Sequence, residues 1–92
     1  MPLYIRDLIW DDWNEEHIAR HGITLEEVEE VCFGDPLVLA AQGRDKRALY
    51  GQTDAGRYLL VIPGERGGGI YYPVTARDMT VAERRRYQRL RR

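Results

Sequence analysis

The sequence predicts one α+β domain: two short N-terminal helices, an antiparallel meander of about four strands, and a basic C-terminal helix. Three observations predict it. The chain has 92 residues, the size of one small domain that buries about two-thirds of its unfolded surface, so it forms a single core and leaves any chemistry to an open groove. Capping-box patterns mark helix starts near both ends of the chain. From Leu37 onward the apolar runs shorten to strand length and are separated by Gly- and Asp-rich connections.

The elements follow in order. Leu8-Ile9-Trp10 is a brief apolar segment with the character of an edge strand, and Asp12 as N-cap with Glu15 at the third helical position opens a first helix over about Trp13 to Arg20. His21-Gly22 ends it, with Gly22 in the left-handed conformation that closes many helices. Thr24 and Glu27 make a second capping box, and Leu25, Val28 and Cys32 share one stripe of a second helix, about Leu25 to Phe33, which Gly34-Asp35-Pro36 stops. Strands are expected over Leu37–Gln42, Arg47–Gln52, Tyr58–Pro63 and Ile70–Arg77, joined by Gly43-Arg44-Asp45, Thr53-Asp54-Ala55-Gly56 and Gly64 to Gly69. Thr80 and Glu83 form a third box that opens the last helix, which runs through Leu90 with Met79, Ala82, Arg86 and Leu90 along one stripe. Helices must cover one sheet face, because a three-turn helix is unstable alone.

Composition excludes several function classes. Cys32 is the one cysteine, serine is absent, and there are two histidines, which removes an internal disulfide and a serine triad and disfavours a zinc site. Cys32 lies on the apolar stripe of the second helix, where an inert buried thiol is expected. The Gly67-Gly68-Gly69 run lacks the Lys-Ser/Thr of a phosphate-binding loop and a helix directly after it. No apolar stretch is long enough to span a membrane and no secretory leader is present, so the expected compartment is the cytoplasm. The net charge of −1 conceals a division: residues 1–35 carry ten acids and two bases, residues 36–92 twelve bases and five acids. Thirteen of the fourteen bases are arginine, whose planar fork binds phosphate or carboxylate through two parallel hydrogen bonds. A polyanion-binding face opposed by an acidic one accounts for the division, and so does a pair of merely solvated faces.

Candidate chemistry gathers in the basic half. Alternation in the last strand puts Tyr71, Pro73, Thr75 and Arg77 on one face and Ile70, Tyr72, Val74 and Ala76, taken as core, on the other. Arg77 is thereby directed away from the buried side, and Glu83 and Tyr87 meet at i, i+4 on the following helix. Such a set suits RNA cleavage without a metal or cofactor: the 2′-hydroxyl of the substrate attacks, and the protein supplies a base, an acid and cations. Each residue also has a structural alternative. Glu83 caps a helix, Tyr87 packs, and Arg77 pairs with Asp78 or a carboxylate of the acidic half. Trp13, His17 and His21 form a stripe on the first helix; His17 and His21 are the neutral-pH proton carriers available.

The ordered set Trp10-Asp11, His21-Gly22-Ile23-Thr24, Glu26-Glu27-Val28, Phe33-x-Asp35-Pro36-Leu37, Arg47, Tyr50-Gly51, Gly56-Arg57-Tyr58-Leu59, Thr75-Ala76-Arg77 and Glu83-Arg84-x-x-Tyr87 resembles the BrnT-type toxins of bacterial type II toxin-antitoxin systems, in the RelE-like superfamily. The resemblance runs over nearly the whole chain. It implies a compact RelE-like fold, metal-independent ribonuclease activity that arrests translation and growth, a cognate antitoxin partner, and contact with operator DNA only through the antitoxin complex. By motif it implies that Arg47 and Arg77 lie near the active groove, that Glu83 and Tyr87 belong to the C-terminal signature, and that His21 belongs to the His-Gly turn. The acidic Asn14-Glu15-Glu16 and the Tyr71-Tyr72-Pro73 segment depart from the family pattern and make this a divergent member.

The sequence therefore leads to an RNA-cleaving toxin with Arg47, Arg77, Glu83, Tyr87 and His21 as catalytic candidates and Arg57, Arg84 and Arg85 as RNA-binding candidates. The alternative is a non-catalytic RelE-like binding module that docks nucleic acid or a protein partner by the charge of its last helix.

Overall fold

The computed structural model describes residues 3–40 and 47–91. Its order is β1 (Asp7–Leu8), α1 (Asp12–Ala19), α2 (Leu25–Phe33), β2 (Leu37–Ala40), β3 (Arg47–Gln52), β4 (Tyr58–Gly67), β5 (Ile70–Asp78) and α3 (Val81–Leu90). Three helices flank a five-stranded mixed sheet, so the class is α+β. Ala41, Gln42 and the Gly43-Arg44-Asp45 connection, expected to end one strand and turn into the next, lie outside the described residues.

The sheet order is β1-β5-β4-β3-β2. Strands β2 to β5 form the expected antiparallel meander. The addition is β1, which runs parallel to β5 with Asp7 opposite Ile70 and Leu8 opposite Tyr71. The strand thus begins at Asp7, before the apolar run that marked it in sequence.

Two further corrections concern β4 and β5. Strand β4 continues to Gly67, not Pro63, and the expected six-residue connection contracts to a turn at Gly68-Gly69. The register shifts beside Pro63: Ile62 faces Thr75 while Pro63 faces Pro73, which leaves Val74 as the extra residue of a bulge. Neither proline has an N–H to give a ladder, and a bulge is where a sheet interior tolerates that loss. The bulge also overturns the expected core face of β5. Tyr71, Pro73 and Ala76 are buried whereas Val74 is exposed, because one extra residue reverses the alternation between Pro73 and Ala76.

Helix α1 is capped by Asp11, not Asp12, and its third position is Asn14, not Glu15. The cause is long-range. Asn14 is fully buried; its side-chain oxygen accepts from the Asp11 N–H, and its amide donates to the Ile9 and Pro73 carbonyls. A Glu carboxylate at that position has no N–H to give the two carbonyls. Gly22 closes α1 with φ of 72°, and Thr24 and Glu27 cap α2 as predicted.

Both sheet faces are covered, not one. Ile18 of α1 and Val28, Val31 and Cys32 of α2 pack with Leu49, Leu59, Val61 and Ala76 on one face. There α2 sits so close to β3 that a Cβ on Gly51 would lie 2.8 Å from Val31 Cγ1. On the other face Tyr87 of α3 packs with Ala48, Tyr50 and Leu60. The expected α3 stripe is corrected accordingly: Tyr87 is its buried residue, Glu83 one turn earlier is half-buried, and Ala82, Arg86 and Leu90 face solvent. The acidic α1 and α2 and the basic α3 therefore lie on opposite faces of the sheet.

Replacing Asn14 with Ala leaves two carbonyls and one N–H of the α1–β5 junction unpaired, and should cost about 2–4 kcal/mol. Urea unfolding monitored by circular dichroism measures this; a loss below about 0.5 kcal/mol contradicts it.

Candidate functional site

Arg77 faces Leu60 in the β4–β5 ladder, and Leu60 faces Tyr50 in the β3–β4 ladder. The register thus places all three on the α3 face. From there the Arg77 guanidinium donates to both oxygens of Glu83, Nη1 to Oε1 at 2.7 Å and Nη2 to Oε2 at 2.8 Å. Nη1 also donates to the Asp78 carbonyl at 3.0 Å. Glu83 is held from its other side by the α3 cap: the Thr80 N–H donates to Oε1 at 2.9 Å, and the Glu83 N–H donates to Thr80 Oγ1.

These contacts fix the electrostatics. The Arg77 hydrogen bonds, helped by the Thr80 N–H and opposed by burial, pull the Glu83 carboxyl down to about 2. The carboxylate in turn raises Arg77 above its ordinary range. Two parallel charge-assisted bonds make this a strong pair, yet the Arg77 side chain is still 41% exposed. It forms the wall of a groove of about 460 Å³, floored by Ala48, Tyr50, Leu60 and Ile62 and bounded by Ala40 and Glu83. A partly exposed guanidinium over an apolar floor is a place where an anionic group can lie flat and be met by a fork of donors.

The other expected site residues divide. Tyr87 is 8% exposed and packs beneath α3, its ring edge-on to Tyr58 with centroids 6.0 Å apart, so the structure gives it a packing role. Arg84 lies over the Tyr58 ring at 4.4 Å, and Arg85 is exposed on α3. Arg57 is occupied. Its Nε and Nη2 donate to Asp78 at 2.8 and 3.1 Å, and its Nη1 to the Gly22 carbonyl at 2.8 Å and to Glu27. The Asp78 hydrogen bonds, with those of Glu27, push the Arg57 guanidinium further above its ordinary range, and Glu27 and Asp78 are both held below theirs. Arg57 is thus a clamp joining the α1–α2 turn to the end of β5.

Arg47 and His21 do not join Arg77. Tyr50 faces the groove, and Arg47, three residues earlier in β3, falls on the opposite face beside Leu3, Pro63, Glu65 and Tyr71. His21 belongs to the α1 face as well. There the rings of Trp13 and His17 stack at 5.0 Å, His21 meets His17 edge-on at 5.6 Å, and His17 Nε2 lies 3.2 Å from Thr75 Oγ1. Tyr50 and Tyr58, which border the Arg77 and Arg84 positions, stand in the ordered motif set but had no site role in the sequence reading. Their β-strand parity was readable, but the register that aligns them with Arg77 was not.

Among the described residues no group of three or more His, Cys, Asp or Glu is placed to hold a metal ion. Cys32 is buried, and burial with the nearby Glu29 pushes its thiol up to about 12, a protonated and unreactive group. Among the described residues no helix is long and apolar enough to cross a membrane.

No protein-family model matches the chain, and no curated protein matches it significantly.

The depressed Glu83 carboxyl has a consequence for stability. Its ion pair contributes fully above the unfolded carboxylate value near 4.5 and is lost as pH falls toward about 2. Glu83→Gln should therefore melt below wild type at neutral pH, with the Tm difference narrowing on acidification through that window. A difference that stays constant with pH contradicts the pairing.

Proposed function

We propose that the chain is a divergent BrnT-type, RelE-like toxin of a type II toxin-antitoxin system: a metal-independent endoribonuclease that arrests translation and growth and is neutralised by a cognate antitoxin. The observation that carries this reading is the Arg77–Glu83 pair, a two-pronged cation already seated on a carboxylate at the wall of an open groove with an apolar floor.

The chemistry follows from exchange of that pair. A phosphodiester offers two non-bridging oxygens with the same fork geometry as a carboxylate. When it takes Arg77, Glu83 loses the contact that depresses it most and its carboxyl rises toward the ordinary carboxylate range, with the Thr80 N–H still holding it down in part. Glu83 then accepts the proton of the 2′-hydroxyl, whose oxygen attacks the adjacent phosphorus. The bond to the 5′-oxygen breaks, that oxygen takes a proton from solvent, and the products are a 2′,3′-cyclic phosphate and a 5′-hydroxyl end. Arg77 neutralises the added charge on the crowded phosphorus. Arg84, Arg85 and the remaining α3 arginines attract the backbone by charge. An antitoxin that lies over the groove inhibits directly, and operator DNA is reached through that complex.

Arg47 and His21, expected as catalytic, are left out of this mechanism because they lie on the other sheet face. Tyr87 is left out because it packs beneath α3. The second reading, a non-catalytic module that binds nucleic acid by charge, draws on the same exposed arginines of α3 and on the tightness of the Arg77–Glu83 pair.

Brief induction in bacteria followed by mapping of new RNA 5′ ends tests the proposal. Arg77→Ala should reduce cleavage on the order of 100-fold while circular dichroism stays native, and Arg47→Ala should retain it within about threefold. A folded wild-type protein that yields no new ends sinks the ribonuclease reading. Equal losses in the two variants sink the one-face site.

A further inference from the structure

Beside the groove, across the first turn of α3, lies a second recess of about 330 Å³, lined by Gly56, Arg57, Tyr58, Asp78, Met79 and Arg84. Its walls are sequence neighbours of the groove walls. Glu83 borders the groove and Arg84 the recess; Arg77 borders the groove and Asp78 the recess. The groove and the recess are thus walled by adjoining residues at the end of β5 and in the first turn of α3.

We propose that this recess is a nucleobase slot, adjacent to the phosphate held by Arg77, that accepts a base bearing an amino group and rejects uracil. The proposal rests on the ribonucleic-acid reading above and names the part of the substrate that reading leaves open.

Two features supply the stacking. The Tyr58 ring is fixed at its hydroxyl, which accepts from Gln88 Nε2 at 3.1 Å, and by its near-perpendicular contact with the Tyr87 ring. Arg84 lies 4.4 Å from the ring centroid and joins none of the ion pairs found among the described residues. Aromatic rings and guanidinium planes are the two surfaces on which proteins stack unpaired bases. Arg84 lifts from Tyr58 and closes over an inserted base, exchanging one flat partner for another.

Asp78 supplies the edge reading. Its side chain is 57% exposed, and each carboxylate oxygen accepts one hydrogen bond from Arg57, which leaves a lone pair on each for a ligand. Adenine, cytosine and guanine present amino donors to such an acceptor, whereas uracil flanks its one N–H with two carbonyls that meet the carboxylate repulsively. Arg57 holds Asp78 in place and keeps it ionised.

Fluorescence anisotropy with labelled 2′-deoxy homotetranucleotides of A, C, G or U, which cannot be cleaved, tests the slot. Wild type should bind the A, C and G probes about tenfold more tightly than the U probe. Tyr58→Leu and Arg84→Gln should each remove most of that difference, and Arg85→Gln, a control for charge alone, should weaken all four equally. Arg84→Gln changes an exposed side chain and keeps the test valid if Tyr58→Leu fails to fold. Equal binding of all four probes by wild type overturns the proposal, as does no measurable binding, or a Tyr58→Leu effect no larger than that of Arg85→Gln. Base-selective binding by a protein that does not cut RNA keeps the slot and removes the ribonuclease; cutting without base selectivity does the reverse.

Discussion

The fork between Arg77 and Glu83 decides how the basic side of this molecule is built. Helix α3 offers the sheet one buried residue, Tyr87, and an isolated ten-residue helix has little stability in water. Polar contacts that converge on its first turn add to that packing: the Thr80 cap orients Glu83, and Glu83 grips the arginine at the end of β5. The same pair forms the groove wall and keeps the carboxylate ionised. The fastening of α3 and the cation of the groove wall thus share the same two side chains.

The two sheet faces divide the labour. Beneath α1 and α2 lies the larger apolar cluster, and Asn14 and the Arg57 clamp stitch these helices to β5. That face carries the acidic half of the chain. The thinner α3 face carries exposed arginines, and the groove lies there. A polyanion is attracted to one side and repelled from the other, so a nearly neutral chain presents a strongly polar molecule.

Local signals were legible in the sequence, and long-range ones were not. Helix α2 has its predicted bounds, because the Thr24–Glu27 box and Gly34-Asp35-Pro36 are local devices. Helix α1 starts one residue early because Asn14 answers to the Pro73 carbonyl 59 residues away. Pro73 called for either an edge or a bulge; the structure has a bulge at Val74, and its effect on facing depends on Pro63 across the ladder. The site shows the same split. The direction of Arg77 relative to Ala76 was a matter of neighbours. Whether Arg47 shared its face depended on two ladder registers, Tyr50 to Leu60 and Leu60 to Arg77, and those put it on the other side. Arg57 looked like one more basic residue because Gly22, Glu27 and Asp78 are distant in sequence.

The claim on which the rest turns is that Arg77 exchanges Glu83 for a phosphodiester. Carbon-detected NMR titration of the Glu83 carboxyl measures it directly, in the free protein and with a saturating uncleavable 2′-deoxy oligonucleotide. The expected result is a value of about 2 in the free protein and a rise toward the ordinary carboxylate range in the complex. A value that stays near its free position with the oligonucleotide bound would contradict the exchange and leave the pair as a fastening for α3 alone.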